Sequence, residues 1–339
     1  MIAIGAFISG CSGPVLSTAE RDFFTRTNPW GLILFKRNCE TPEQLKALTG
    51  AFREAVGRRN APVFVDQEGG RVQRLGPPSN EWRRYPPARA YGEAFNASPL
   101  QGLRAARNVG RLMAEDLIAA GITANCVPVL DVPQPGAHEI VGNRAYSDRI
   151  ETIMALARAH AAGFADGGIL PVIKHIPGHG RARADSHLEL PVVDAPRADL
   201  EAVDFPPFAA LADAPMAMTA HVVYTALDRT APATLSKKVI SAIIRKQIGF
   251  RGLLMTDDLS MKALAGSYGE KTRRALEAGC DIVLHCNGQM EQMEEVAAAA
   301  GTLKGKALSR AKAALKAARK PQPFDRRQAL KDLEAVLPS

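Results

Sequence analysis

Eight runs of apolar residues recur along the 339-residue chain, and they restrict the fold more than any other feature of the sequence. Most of the runs are continuous rather than alternating in polarity, as expected for parallel strands that are covered on both faces. The runs are residues 2–8, 31–35, 62–66, 122–132, 169–175, 216–224, 252–258 and 280–286. Because helical segments lie between the runs, the sequence predicts an α/β fold. We expect a single (β/α)8 TIM-type barrel in one domain over residues 1–339.

Capping signals support the helical segments between the runs. Thr41 followed by Pro42 predicts a helix start, and Gly121 predicts a helix stop. Further helices are expected to begin near Ser147, Ala198, Ser236, Gly266 and Gln289. A basic helix over residues 304–320 is expected to close the chain, and the Pro- and Arg-rich stretch 75–92 is expected to be a loop that walls one side of a pocket. A doubly wound open sheet is the alternative fold, but the first run lacks the Gly-x-Gly-x-x-Gly loop of its nucleotide-binding members.

Composition excludes several classes of protein. The net charge of +8 comes largely from the basic helix, which has no interleaved aromatic residues, so we expect a solvated helix face and no nucleic-acid partner. No run approaches the roughly 18 apolar residues that span a bilayer. Five scattered cysteines fit a reducing cytoplasm. The segment that ends at Cys11 resembles a lipoprotein cleavage site, but no Lys or Arg precedes it, so a buried strand is favoured.

Polar side chains stand at the ends of six of the apolar runs. They are Asp66, Asp131, Lys174 with His175, His221, Asp257 with Asp258, and His285. In a barrel of this kind the active site lies at the carboxyl ends of the strands. Asp131 and Asp258 could instead cap the helices that follow. Taken together, the strand ends predict a polar cup that binds a ligand rich in hydroxyl groups.

Residues 174–187, "KHIPGHGRARADSH", contain three of the seven histidines of the chain. A metal site is disfavoured because Lys174 stands beside His175 and the helical His-x-x-x-His spacing is missing. A phosphate loop is disfavoured because the lysine precedes the glycines. The remaining interpretation is an acid/base dyad of Asp185 and His187, in which the carboxylate orients the imidazole.

An acid/base dyad needs a partner that attacks the substrate. Asp257, at the end of the seventh apolar run, is a candidate nucleophile across the barrel. A retaining glycosidase uses a carboxylate nucleophile together with a proton donor. Gly178 and Gly180 are expected to let the intervening loop carry the dyad towards and away from the pocket.

At this point the sequence resembles the bacterial β-N-acetylhexosaminidases of glycoside hydrolase family 3, in their single-barrel form. The resemblance rests on the stretches "GLILFKRN", "VDQEGGRVQRL", "GNRAYSD", "KHIPGHG", "ADSHLELP", "MTAHVVY" and "GFRGLLMTDDLSM", which extend from residue 31 to residue 261. The chain departs from commoner members in two places: no acidic residue follows the first run, and Ile176 stands where Phe is frequent.

The resemblance implies a role for each candidate residue. Asp257 would be the nucleophile, His187 the general acid/base and Asp185 its orienting partner. The residues that would hold the terminal N-acetylglucosamine are Asp66, Arg74, Arg144, Lys174 and His175. No metal and no cofactor are expected. Most glycosidases use two carboxylates, and the family that this chain resembles uses a histidine in place of one of them.

The resemblance also implies a function. We expect a cytoplasmic, monomeric exo-enzyme that hydrolyses terminal β-linked N-acetylglucosamine from peptidoglycan fragments with retention, without a membrane partner. One alternative is a phosphorylase of the same fold, in which phosphate resolves the glycosyl-enzyme. Another is a sugar-binding or regulatory protein that has lost catalysis, although Asp257, His187 and Asp185 are all present.

Overall fold

The computed structural model describes residues 3–77, 82–186 and 188–337. Eight parallel strands close a barrel in which each strand pairs with its neighbours in the chain and the last pairs with the first, Phe7 opposite Val283. The strands are β1 Gly5–Ser9, β2 Pro29–Leu34, β3 Val63–Val65, β4 Ala124–Asn125, β5 Leu170–Ile176, β6 Met216–Thr219, β7 Leu253–Asp258 and β8 Ile282–His285. The predicted (β/α)8 barrel is confirmed.

The fourth apolar run forms the shortest strand although it is the longest run in the sequence. Regular pairing ends at Asn125, and Pro128 brings no N–H group to a ladder. The chain nevertheless follows β5, because the N–H of Val172 donates to Val127 and that of Leu130 donates to Lys174. This extended course carries the next residue, Asp131, to the carboxyl end of the barrel.

Helices surround the barrel in the order expected for its connections. They are α1 Thr18–Thr27, α2 Pro42–Ala55, α3 Ala88–Ala97, α4 Pro99–Ala119, α5 Ile150–Asp166, α6 Arg197–Asp199, α7 Phe205–Ala210, α8 Tyr268–Ala278, α9 Met290–Ala300, α10 Gly305–Lys316 and α11 Arg326–Val336. Turns of π-type helix occupy Leu200–Asp204 and Val239–Gln247. A hairpin of Gln67–Gly69 with Val72–Gln73 follows β3.

Two predictions about the connections are wrong. The basic segment forms α10 with its lysines exposed, as expected, but α11 follows it and closes the described chain. The stretch 75–92 is not a loop throughout, because α3 begins at Ala88. None of its described residues, 75–77 and 82–92, lines the cavity at the carboxyl ends of the strands. The Pro-rich composition concealed the short amphipathic turn pattern of α3.

The buried side chains form two clusters, one inside the barrel and one between the barrel and the helices. Helix α10 packs Ala311 and Ala314 against the interior cluster. Arg310 of the same helix pairs with Asp281, which directly precedes β8, at 2.8 Å. The amino-terminal end of the barrel is therefore covered, and the carboxyl end remains for a ligand.

In the part of the chain that the structure describes, no helix combines the length and the apolar character needed to cross a membrane.

Candidate active site

A cavity of about 280 Å³ opens at the carboxyl ends of the strands. Its polar lining includes side chains from β5 and β7 and from the segments that follow β3, β4 and β5. They are Asp66, Glu68, Arg71, Arg74, Arg144, Lys174, His175, His179, Ser186, Asp257 and Asp258. Six of the eight predicted site residues, all except Asp185 and His187, are therefore brought to one cavity.

Lys174, on β5, is the centre of a buried charge cluster. Its Nζ lies 2.8 Å from Oδ1 of Asp66 and 2.7 Å from Oε1 of Glu68, and its side chain is 2% exposed. Glu68 also accepts two hydrogen bonds from Arg144, from Nε and Nη2, each at 2.8 Å. Arg74 reaches Asp66 at 3.2 Å. Two carboxylates and three cations thus interlock, and each holds its neighbours in one orientation.

The cluster stays ionised because its charges compensate one another. Burial alone would raise the pKa of Asp66, but Lys174 and Arg74 hold that pKa below its ordinary value. Burial likewise opposes ionisation of Glu68, but Arg144 and Lys174 lower its pKa to about 2. For Lys174, the two carboxylates outweigh burial and raise its pKa. A sugar that enters the cavity therefore meets fixed charged donors and acceptors.

His175 is oriented by Asp131. Its Nδ1 lies 2.7 Å from Oδ2 of Asp131, whose Oδ1 accepts the backbone N–H groups of His175 and His179. Burial would raise the pKa of Asp131, but His175 and these bonds lower it to about 2. An ionised carboxylate can only accept, so Nδ1 carries the proton and Nε2 is the ring nitrogen left for a ligand. Asp131 thus positions His175 and does not cap a helix.

The two neighbouring aspartates at the end of β7 have different surroundings. Oδ1 of Asp258 accepts from the backbone N–H groups of Ser260 and Cys286, and Oδ2 accepts from the Ser260 hydroxyl. Among the described residues, the Asp257 carboxylate accepts one hydrogen bond, from the N–H of Asp258 at 2.8 Å. Asp258 is therefore tied into the turn after β7 and does not cap the next helix, which begins at Tyr268 with Ser267 as its cap. Asp257 faces the cavity with acceptor capacity left for a substrate.

The ionisation of Asp257 suits attack on a carbon atom. Burial would raise the pKa of this carboxyl group, but His175 and His221 nearby outweigh burial and lower it. The group is therefore an anion at neutral pH. An ionised carboxylate that lines a sugar-sized cavity is a candidate nucleophile.

The first part of the loop after β5, residues 178–182, is held firmly. Tyr224 donates to the carbonyl of Gly178 at 2.5 Å, and Arg181 donates from Nε to Asp204 at 2.6 Å. A side chain on Gly178 would meet the Asp204 side chain at 2.9 Å, and one on Gly180 would meet the carbonyl of Val132 at 2.0 Å. The expectation that these glycines confer freedom is wrong, because they permit close packing.

The second part of the loop carries the predicted dyad. Asp185 is half-buried, and its carbonyl accepts the N–H groups of Leu188 and Glu189 in a turn. Ser186 beside it lines the cavity, with its hydroxyl 3.3 Å from Nε2 of His179. His187 lies outside the described residues, so its role as acid/base and the orienting role of Asp185 stay predictions.

Two strand-end histidines do not line the cavity. His221 is buried, with Nδ1 against the Thr234 hydroxyl and Nε2 against the carbonyl of Asp258. His285 is buried, with Nε2 2.9 Å from Oε1 of Gln292. The predicted polar cup is therefore smaller than the set of strand ends suggested, and these two histidines support the cup from outside.

Glu68 and His179 both line the cavity, although no role was predicted for either from the sequence. Glu68 belongs to the quoted stretch "VDQEGGRVQRL", and its place two residues after Asp66 was the available signal. His179 is 4% exposed, and burial lowers its pKa to about 4, so its ring is neutral at neutral pH. No group of three or more His, Cys, Asp or Glu side chains in the described ranges is arranged to hold a metal ion.

Comparisons with known proteins agree with this geometry. The family model described as "Glycosyl hydrolase family 3 N terminal domain" matches residues 15–319. A β-hexosaminidase of Alkalilimnicola ehrlichii is 41% identical over 288 residues, which cover 84% of this chain and 81% of that protein. Native NagZ from Neisseria gonorrhoeae is similar in structure with a TM-score of 0.83 and 32% identity, covering 99% of both chains.

A second structure of the Neisseria gonorrhoeae enzyme contains N-trifluoroacetyl-D-glucosamine. It matches with a TM-score of 0.82 and 32% identity, over 99% of this chain and 98% of that one. The family match covers most of the chain, and the β-hexosaminidase relative is aligned with 84% of it. The chain therefore belongs to glycosyl hydrolase family 3, as a glycoside hydrolase of the β-hexosaminidase type.

Proposed function

We propose that the protein is a retaining exo-β-N-acetylglucosaminidase of cell wall recycling. It removes the terminal non-reducing N-acetylglucosamine from N-acetylglucosaminyl-1,6-anhydro-N-acetylmuramic acid, with or without its peptide. It acts in the cytoplasm as a monomer with one catalytic domain, residues 1–339, and needs no metal or cofactor. The observation that carries this proposal is the ionised Asp257 carboxylate beside the buried cluster around Lys174.

The size of the cavity favours action on a chain end. Pockets that enclose drug-sized ligands measure roughly 300–1,000 Å³, and this cavity of about 280 Å³ is at the lower limit. It accommodates one sugar ring more readily than a continuous oligosaccharide. The terminal N-acetylglucosamine enters, and the rest of the substrate stays at the mouth.

The charge cluster binds the ring hydroxyl groups. Asp66 accepts from sugar hydroxyls, while Arg74, Arg144 and Lys174 donate to hydroxyl oxygens, and Nε2 of His175 accepts from a hydroxyl group. Because these groups are already oriented by one another, little side-chain entropy is lost when the sugar binds. The sugar is thus presented to Asp257 in one orientation.

Catalysis proceeds in two displacements at the anomeric carbon. In the first, an oxygen of Asp257 forms a bond to that carbon while the bond to the leaving oxygen breaks, and His187 gives its proton to the leaving oxygen. In the second, His187 takes a proton from water, whose oxygen displaces Asp257. Two inversions give net retention, with histidine in place of the usual second carboxylate.

Product analysis tests this proposal directly. The purified protein is incubated with purified anhydro-muropeptides, and the products are identified by mass spectrometry. We expect free N-acetylglucosamine and the corresponding anhydro-muramic acid product, and neither with the Asp257→Ala control. Endo-cleavage products, or intact substrate after long incubation, would contradict the proposal.

The same reaction separates the two rival functions. Added phosphate should leave the turnover unchanged, whereas a phosphorylase would release N-acetylglucosamine 1-phosphate. Hydrolysis of a chromogenic N-acetylglucosaminide would eliminate a protein that only binds sugars. Only the experiment with phosphate separates the hydrolase from the phosphorylase, because a neutral imidazole tolerates an anionic acceptor beside the glycosyl-enzyme.

A further inference from the structure

We propose that Arg71 is a specificity-determining residue at the mouth of the cavity that recognises a carboxylate on the leaving part of the substrate. This inference rests on the proposed function and adds the selection of an anionic aglycone over a neutral one. It predicts a preference for muramic-acid fragments over chitin fragments, which carry the same terminal sugar.

The position of Arg71 sets it apart from the other residues of the cavity. Among the described residues that line the cavity, Arg71 alone is exposed, while the others are buried or half-buried. It stands at the turn of the hairpin after β3, directly after Gly70, whose φ of 58° is left-handed. The side chain thus lies where the cavity meets solvent, which is where the aglycone of an exo-acting enzyme must lie.

The hydrogen bonds of Arg71 leave much of its guanidinium available. Nη2 donates to the carbonyl oxygens of Glu139 and Ile140, at 2.6 and 2.7 Å. These bonds fix the side chain across the mouth, between the hairpin and the segment that leads to Arg144. A guanidinium has five N–H donors in a planar fork, so donors remain for a bidentate contact with a carboxylate.

Arg71 differs from the other cations of the cavity because it forms no ion pair with a carboxylate of a described residue. Arg74, Arg144 and Lys174 each form an ion pair with Asp66 or Glu68. For Arg71 no carboxylate of a described residue lies within 4.0 Å of a guanidinium nitrogen. The Glu139 carboxylate is near, because a Cβ atom on Gly142 would lie 2.9 Å from its Oε2 and 3.5 Å from Nη2 of Arg71, but the two side chains form no ion pair. The mouth therefore presents a positive charge that no ion pair with a described residue neutralises.

The proposed substrates differ in the group that this charge would meet. The aglycone muramic acid has a lactyl carboxylate, and its peptide form has peptide carboxylates instead. A chitin fragment has neither. A rim charge contributes to selection between such partners more than to the chemical step.

The test compares substrates that differ only in charge. One pair is N-acetylglucosaminyl-anhydro-muramic acid and its lactyl amide, and the second is a nitrophenyl N-acetylglucosaminide and its ring-carboxylated analogue. For the wild-type protein we expect a higher kcat/KM for the carboxylate member of each pair. In the aryl pair, kcat/KM is first corrected for the difference in leaving-group acidity. Arg71→Gln should reduce this preference by about tenfold, mainly through KM, because a charge-assisted bond is lost.

Further variants separate recognition from a structural role. Arg71→Lys should keep part of the preference, and Glu139→Gln should keep or increase it. Arg327→Gln, on the exposed side of α11, is the matched control and should change nothing. Added salt should weaken the wild-type preference and leave that of Arg71→Gln unchanged.

Two outcomes would overturn the inference. If Arg71→Gln slows neutral and anionic substrates equally, Arg71 only holds the Arg144 segment in place. If the wild-type protein shows no preference in either pair, there is no anion site. Failure of the proposed function looks different: the aryl glycosides are hydrolysed but the natural disaccharide is not, and the aryl pair still decides the role of Arg71.

Discussion

The strand-end side of the cavity and the loop after β5 hold their side chains by different means. Around Lys174 the charged groups are buried and bonded to one another, so each position is determined by its neighbours. The first part of the loop, residues 178–182, is fixed by Tyr224 and Arg181, and further along the loop Leu188 is 66% exposed. The difference suggests a division of labour, in which the strand ends bind the sugar and the loop delivers the proton. Variants on the two sides should therefore respond differently to the leaving group.

The largest effect should come from Asp257→Ala on the strand-end side. Without this carboxylate no glycosyl-enzyme can form, so kcat/KM should fall by about 10⁴-fold or more. The loss should be equally severe for nitrophenyl glycosides and for the natural disaccharide. Initial rates on both substrates measure it. The matched variant, Asp258→Asn, should lose far less of its kcat/KM. If the Asp257→Ala protein kept several per cent of wild-type activity, the assignment of Asp257 as nucleophile would be contradicted.

His187→Ala should produce an effect that depends on the leaving group. A nitrophenolate leaves without a proton, but the muramic-acid hydroxyl does not, so glycosylation of the natural disaccharide should slow by about 10²- to 10⁴-fold. Glycosylation by activated aryl glycosides should slow far less, and azide should accelerate the second step. Pre-steady-state rates with a series of aryl leaving groups provide the measurement. Equal losses on aryl and natural substrates would remove His187 from the role of acid.

Lys174→Ala should lower kcat/KM for all substrates by a similar factor. The change leaves Asp66 and Glu68 without a shared cation and removes a donor to the sugar, at a cost of about 1–3 kcal/mol in kcat/KM. Arg144→Ala should act in the same direction, and both chains should still fold by circular dichroism. Lys312→Ala on the exposed face of α10 is the control. Near-wild-type kinetics for both cavity variants would place the sugar elsewhere.

The smallest effect should come from Arg181→Ala in the fixed part of the loop. The variant loses the bond to Asp204, whose second oxygen is already buried without a partner in the described structure. We expect a loss of kcat of several-fold on the disaccharide and little change on activated aryl glycosides, since the residue acts through the dyad. Exposed Arg183→Ala is the matched control. An equal loss of kcat for both substrates would mean that residues 178–182 support the sugar-binding strand ends and not the dyad.

The barrel could be predicted because its strands are continuous apolar runs, each of which overlaps one observed strand of the barrel. Helix α1 was not predicted, since its apolar content is limited largely to Phe23 and Phe24. Its signal was the capping box of Ser17 and Glu20, in which each side chain bonds the other residue's backbone.

The site was predicted less completely, for physical reasons. A lone aspartate at a strand end is compatible with a helix cap, with a turn or with a partner for a histidine. Asp131 proved to orient a histidine, and Asp258 is tied into a turn. Gly178 and Gly180 could signal either freedom or close packing, and only the position of Asp204 and Val132 distinguishes the two. Contacts between distant segments decide such cases, and a single sequence does not contain them.

Covalent trapping tests the central claim, that Asp257 is the nucleophile of the sugar-binding side, most directly. An activated fluorosugar forms the glycosyl-enzyme but slows its hydrolysis, so the intermediate accumulates. After trypsin digestion, the sugar should be found by tandem mass spectrometry on Asp257 in the peptide of residues 252–262, and the Asp257→Ala protein should not be labelled. A label on Asp258, or time-dependent inactivation with the label on another peptide, would contradict the account.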